Sequence, residues 1–154
     1  HIRSLRAQRR RLVAEVAERT ADLERLARTD GLTGLLNRRS FDEALAEVVQ
    51  RPGGVGLILI DVDHFKKYND HLGHQAGDAC LTSVAQALSA AVAEFPEAYP
   101  RLVARVGGEE FAVLCAAPEA SALIAHGERL RQAVLGLQLP HPAAPEGIVT
   151  LSMG

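Results

Sequence analysis

Residues 55–62 read Val-Gly-Leu-Ile-Leu-Ile-Asp-Val, a nearly unbroken apolar run that follows the turn Arg51-Pro-Gly-Gly54. Its length and branched residues predict a strand, and its lack of polar alternation predicts burial on both faces. A strand of that kind belongs at the centre of a sheet covered by helices. Two further strand-like runs, Arg101–Val106 and Phe111–Cys115, flank Gly107-Gly108-Glu109-Glu110 and predict an antiparallel hairpin with a glycine tip.

The remaining chain supplies helices. Residues 1–28 lack glycine and proline, and Ile2, Leu5, Leu12, Val16, Leu23 and Leu26 follow three-four spacing, with Arg9 and Arg19 at the two polar seam positions. That pattern predicts a short parallel coiled coil; the plainer reading is a single amphipathic helix lying on its own domain. Residues 29–37 break the helix with two glycines, and Asn37 is placed to cap a new helix with Phe41, Leu45, Val48 and Val49 on its apolar face, reaching about Gln50. Residues 63–77 read as a polar connection. A helix is predicted to start at Gly77-Asp78 and carry Leu81, Val84, Ala85, Leu88 and Val92, and another at Pro118-Glu119 carrying Leu123, Leu130, Val134 and Leu137. Residues 147–153 close the pattern as a last strand. The element order is that of an α/β fold with an antiparallel hairpin in its sheet.

The balance of charges narrows the function. Net charge is −2, against a dedicated nucleic-acid binder. Fifteen of the seventeen basic residues are arginine; the two lysines, Lys66 and Lys67, follow directly on an acidic strand end. Residues 1–30 carry eight Arg against five acids, so they are +3 and the rest is −5. The interspersed Glu15, Glu18, Asp22 and Glu24 argue against a nucleic-acid face there. Cys80 and Cys115 lie in apolar periodic stretches and read as buried free thiols in a reducing compartment. No apolar run approaches membrane-spanning length and no signal peptide is visible. The expectation is a soluble cytoplasmic piece of a longer protein, or the cytoplasmic part of a membrane-anchored sensor, making no membrane contact itself.

The chemistry concentrates at two places. Asp61 and Asp63 end the 55–62 run two residues apart, so both carboxylates can point the same way; their mutual repulsion is naturally relieved by a cation. They could instead cap the following turn or pair with Lys66 and Lys67. Glu109 and Glu110 follow the glycine tip, facing opposite ways along a strand. Acids on two neighbouring strands suit magnesium held against a nucleotide phosphate. Asp78 has a plain reading too, as the cap of the helix predicted to start there.

Four motifs in order, Asp30-Gly-Leu-Thr-Gly-Leu-Leu-Asn-Arg-Arg-Ser-Phe41, Asp61-Val-Asp-His-Phe-Lys-Lys-Tyr-Asn-Asp70, Gly73-His74 with Gly77-Asp78, and Arg105-Val-Gly-Gly-Glu-Glu-Phe111, resemble the GGDEF domain family, the diguanylate cyclases, in its GGEEF variant. The likeness runs from about Asp30 to the end, and residues 149–154 resemble the family's last core strand. It divides the chain into a signalling helix at 1–28 and a GGDEF domain at 29–154, incomplete at its C-terminal end.

The resemblance implies a nucleotidyl-cyclase or polymerase-palm sheet and condensation of two GTP into cyclic di-GMP with release of pyrophosphate. It implies Mg2+ or Mn2+ held by Asp61, Glu109 and the backbone carbonyl of Val62. Lys66 would steady triphosphate charge with backbone amides around Phe65. Asn69 and Asp78 would read the guanine edge, with His74 bordering the pocket. Gly107 and Gly108 would let the nucleotide lie against the hairpin, and Glu110 or Glu109 would take the proton from the attacking 3′ hydroxyl. Each site holds one GTP, so a homodimer is implied, through the N-terminal helix and with facing sites. The alternative is a non-catalytic module sensing GTP or cyclic di-GMP. Many members carry an Arg-x-x-Asp product site before the hairpin; Ala98-Tyr-Pro-Arg101 stands here, so no such feedback site is expected. The chain also stops before a segment that carries a phosphate-gripping lysine and arginine in the family.

Overall fold

The structure, a computed structural model, describes residues 2–97, 100–117 and 119–154. Helix α1 (Ile2–Arg28) leads into α2 (Arg38–Val48), β1 (Val55–Val62), α3 (Phe65–Leu72), α4 (His74–Ala93), β2 (Arg101–Arg105), β3 (Glu110–Ala116), α5 (Ala120–Leu135) and β4 (Leu151–Met153). The four strands form one sheet in the order β2-β3-β1-β4 with antiparallel neighbours throughout. The expected α/β class and hairpin are both present.

α1 stands clear of the domain. Its seam residues Leu5, Leu12, Val16, Leu23 and Leu26 are all more than half exposed. A helix lying on its own domain would have buried them, so that plainer reading fails; the seam side chain of Ile2 lies outside the described residues. α2 starts as its sequence dictates, with the Asn37 side chain accepting the Ser40 N–H.

β1 lies inside the sheet as expected, but the prediction that both its faces are buried is wrong. Ile58, Ile60 and Val62 are buried, whereas Leu57 is 36% and Leu59 51% exposed. The first face packs under α3, α4 and α5, where Val84, Ala85 and Leu88 of α4 meet Phe111, Val113 and Cys115 of β3. The opposite face is covered by α2, whose Phe41 and Val48 sit on Ala104, Ala112 and Leu114. That cover reaches the β2–β3 half and leaves β1 lining an open groove of about 510 Å³ with Phe41, Leu45, Met153 and Gly154. An apolar run records only that neither set of side chains is polar. Burial of the second set needs a covering element, and none among the described residues provides it.

Two boundaries also differ from the sequence reading, and a third is not tested. Residues 63–77 are not a plain connection. They hold α3, with Phe65 and Tyr68 buried one turn apart, and α4 begins at His74 rather than Gly77. The last strand shrinks to Leu151–Met153, while Ile148 makes a single bridge to Pro140. α5 begins at Ala120, and the predicted start at Pro118 lies outside the described residues. Both cysteines are buried free thiols, and burial pushes Cys80 up to about 11. Among the described residues no helix is long and apolar enough to cross a membrane.

Candidate active site

The acids meet where β1 ends beside the hairpin tip. Asp61 is the direct cross-strand partner of Glu110, so these two carboxylates rise from the same face of the sheet. Glu109 immediately precedes β3, and its backbone carbonyl accepts the Val62 N–H at 3.2 Å. The three acids feel one another. Partial desolvation, then the charges of Glu110 and Asp63, push Asp61 above its ordinary value. Partial desolvation, then Asp61 and Glu110, do the same to Glu109. Among the described residues none of the three has a salt-bridge partner, and no group of three acids, histidines or cysteines is already gathered in metal-ligand geometry.

Asp63 behaves differently. The Thr150 hydroxyl donates to its Oδ2 at 2.6 Å and the Ser152 hydroxyl to its Oδ1 at 2.5 Å, while its own N–H donates to the Thr150 carbonyl. Both oxygens are engaged, one by Thr150 just before β4 and one by Ser152 within it, so Asp63 clamps β4 to the end of β1. Of the two carboxylates, Asp63 is thus held by neighbouring hydroxyls, while Asp61 accepts no such bond among the described residues. Neither pairs with Lys66 or Lys67, which are exposed and form no ion pair among the described residues.

α3 follows at once. His64 takes a left-handed conformation (φ 55°) and offers no side-chain cap, so the first amides of α3 lack an internal acceptor. Asn69, one turn on, is half-buried, and its Oδ1 is buried without a partner. A Cβ on Gly77 would lie 1.8 Å from that oxygen, so only glycine leaves room for Asn69. Asp78, directly after Gly77, and His74, four residues before it, are exposed on the first turns of α4. The N-cap of α4 is Gly73, which removes the reading of Asp78 as a helix cap.

At the hairpin itself, a Cβ on Gly107 would strike the Glu110 carboxylate at 2.1 Å, whereas one on Gly108 would meet nothing. The Arg105 Nε and Nη2 donate to the Gly108 carbonyl at 3.2 and 2.7 Å. Its Nη1 donates to both oxygens of Asp30 at 3.2 and 3.3 Å. Asp30 also accepts the N–H and hydroxyl of Thr33. Desolvation works against ionisation of Asp30, but those Thr33 bonds and Arg105 outweigh it and hold the carboxyl below its usual value.

The comparisons with known proteins settle the family. A sequence model described as "Diguanylate cyclase, GGDEF domain" matches residues 27–154. The chain belongs to the GGDEF family. It is 34% identical over 146 residues to the diguanylate cyclase VdcA of Vibrio cholerae, covering 92% of this chain and 41% of that protein. It is 35% identical to the cyclic di-GMP phosphodiesterase PdeB of Shewanella oneidensis, covering 86% of this chain and 15% of that one. Among solved structures, the coiled coil and GGDEF domain of DgcB from Caulobacter crescentus, in complex with c-di-GMP, superposes with a TM-score of 0.81 at 33% identity, over 99% of this chain and 81% of that one. The first curated relatives are longer proteins, of which this chain spans between 13% and 51%.

In this GGDEF domain the predicted site residues fall into two groups. Asp61, Val62, Glu109 and Glu110 share the sheet end, and Gly107 makes room for Glu110. Gly108 lies at the same tip, its carbonyl held by Arg105, while Phe65, Lys66 and Asn69 lie on α3 and His74 and Asp78 on the first turns of α4. Asp30 and Arg105 lie inside two of the sequence motifs, and the sequence alone assigns neither a role. The Asp30-x-x-Thr33 spacing was a signal for a side-chain-closed turn, but nothing local linked it to Arg105.

The sheet-end donor set fits a hard divalent cation. It is all oxygen, and it holds like charges that lack a counter-charge from the described residues. Asp61 and Glu109 are both pushed above their ordinary values by partial desolvation and by neighbouring acids, and a nearby cation acts in the opposite direction.

Proposed function

We propose that this GGDEF domain, in its GGEEF variant, is a diguanylate cyclase, the output domain of a larger protein. It would condense two GTP into cyclic di-GMP and release pyrophosphate. The observation that carries this reading is the acid cluster Asp61–Glu109–Glu110, electrostatically uncompensated, beside the uncapped start of α3 and the unpartnered Asn69 oxygen.

Each residue then has work to do. Asp61, Glu109 and the Val62 carbonyl would hold Mg2+ or Mn2+, which would supply charge neutralisation for the triphosphate and lower the cost of deprotonating the 3′ hydroxyl. The free amides at Phe65 receive phosphate oxygens, and Lys66, with no competing ion pair, adds a mobile positive charge. Asn69 Oδ1 and Asp78 accept from the guanine amine and ring N–H; adenine lacks donors in that arrangement, and a buried acceptor left unpaired by ATP would penalise it. His74 borders the same pocket. Glu110 or Glu109 takes the proton of the 3′ hydroxyl as its oxygen attacks the α-phosphorus and pyrophosphate leaves.

One site holds one GTP, so ring closure needs a second chain facing the first. The unbroken α1 with its exposed seam supports a parallel coiled-coil homodimer, which raises the local concentration of one site near the other to about the millimolar range. Leu12→Pro should lower cyclic di-GMP output while leaving GTP binding nearly intact. Location in the cytoplasm, where GTP is available, belongs to this proposal.

The deciding experiment incubates the full-length protein with GTP and Mg2+, measures cyclic di-GMP, and repeats the assay with Glu109→Ala. Product from the parent and none from the variant supports the cyclase. GTP binding without product supports the second reading, a non-catalytic sensing module. That reading draws on the relative named as a phosphodiesterase, where a segment like this one is 15% of a longer chain. Equal binding of ATP and GTP would refute base reading by Asn69 and Asp78.

A further inference from the structure

Glu109 is only as well placed as the backbone beneath it, and two glycines precede it. Glycine carries the largest backbone freedom, and no packing restrains Gly108, since an added Cβ there would meet nothing within 4 Å. What holds the tip is a pair of carbonyl anchors on either side of Glu109. The Gly108 carbonyl, in the peptide unit entering Glu109, is gripped by two donors of Arg105 at 3.2 and 2.7 Å. The Glu109 carbonyl, in the unit leaving it, is gripped by the Val62 N–H at 3.2 Å. Fixing both peptide planes fixes φ and ψ of Glu109, and with them the root of its side chain.

The guanidinium is itself held. Its remaining nitrogen, Nη1, bonds both oxygens of Asp30, and the two side chains are only 16% and 22% exposed. Asp30 sits in a turn closed by its N–H to the Leu35 carbonyl at 2.8 Å and by Thr33. The Arg105 N–H donates to Leu36 in that turn at 2.9 Å. The same turn takes hold of the last turn of α1. The Asn37 N–H donates to the Arg28 carbonyl and its Nδ2 to the Ala27 carbonyl, each at 3.0 Å. Residues 5–28 are otherwise exposed.

We propose that Arg105 and Asp30 are positioning residues for the hairpin reaction centre: Arg105 sets the Glu109 backbone through the Gly108 carbonyl, and Asp30 sets Arg105 from the end of α1. This rests on the cyclase reading for its chemistry, but not for its geometry. A lysine at 105 keeps the charge and reaches one partner, not both. An asparagine at 30 keeps an acceptor for Thr33 and loses the charge-assisted bonds.

The test uses the full-length protein with Mn2+ as probe and no nucleotide. Arg105→Ala should raise the Mn2+ dissociation constant about tenfold, as loss of groups supporting a metal ligand typically does. It should accelerate hydrogen exchange of the Val62 amide about tenfold while the β1–β3 ladder away from the tip keeps its rates. Asp30→Asn and Arg105→Lys should move both readouts the same way by less, and the Asp30→Asn/Arg105→Ala pair should add little to Arg105→Ala alone. With GTP and Mg2+, kcat should fall about tenfold with KM changed by less than about twofold. Unchanged Mn2+ affinity in a folded Arg105→Ala protein, or ladder and Val62 amides accelerating together, overturns the assignment. Mn2+ binding that depends on Arg105 in a parent yielding no cyclic di-GMP would retire the cyclase reading and leave this one standing.

Discussion

Two sets of carboxylates flank the 105–110 hairpin in opposite electrostatic states. On one side Asp30 has Arg105 and two Thr33 donors, and its carboxyl is pushed below the ordinary value despite desolvation. On the other side Asp61 and Glu109, also partly desolvated, have neighbouring acids and no ion-pair partner among the described residues, and both are pushed up. The first arrangement is complete as folded. The second is a standing cost to the protein alone, which a bound cation would remove. The contrast recurs two residues apart on one strand end, where Asp63 is satisfied by two hydroxyls and Asp61 by none.

The largest test of this contrast is in activity. If Asp61 is a ligand and Asp63 a clamp, Asp61→Asn and Glu109→Ala should each lower cyclic di-GMP formation by about 100-fold or more. Asp63→Asn, which keeps partners for both hydroxyls, should cost less than about tenfold. Similar losses at 61 and 63 would erase the distinction.

Stability should split the two sets in opposite directions. Asp30→Ala strands a half-buried guanidinium and the Thr33 N–H, and should cost about 2 kcal/mol in urea unfolding. Asp61→Asn relieves repulsion at an exposed residue, so it should stabilise the metal-free protein by about 0.5 kcal/mol, a rise of roughly 1–2 °C in Tm that salt diminishes. Mg2+ should raise Tm of the parent and not of Asp61→Asn.

The smallest effect is in pH dependence. Glu109 has a folded value above its ordinary 4.5, so its contribution to stability is fully present below 4.5 and is lost as pH rises through the raised value. The metal-free parent should therefore be less stable than Glu109→Gln near neutrality, with the gap closing on acidification. Asp30 works the other way: its contribution is present above 3.8 and is lost as pH falls through the depressed value. The advantage of the parent over Asp30→Asn should shrink at low pH. Thermal unfolding of the parent and the two variants reads the Glu109 sign between neutrality and about pH 4, and the Asp30 sign only when the scan is carried below about pH 3.8.

Much of this domain was legible in local pattern. Asn37 caps α2 because an Asn before an apolar-periodic run satisfies orphan amides within one turn. Gly107-Gly108 between two apolar runs forms the hairpin, and Cys80 and Cys115 are buried where periodicity put them. α3 was missed because Phe65 and Tyr68 give too short an apolar stripe among polar neighbours to register as a period. The open face of β1 was missed because apolar character and actual cover are different things.

By itself, then, the sequence determined the chemical inventory and the local elements: which acids, glycines and caps exist, and which segments wind or extend. Repeat distances of one turn or one strand residue are enough for that. Only the tertiary structure decided which charges are compensated. Arg105 finds Asp30 across 75 residues, and Asp63 finds Thr150 and Ser152 across 87 and 89, while Asp61 is set opposite another acid. Coulomb forces and hydrogen bonds act through space over a few ångströms, and no local spacing encodes which distant segments the sheet brings that close.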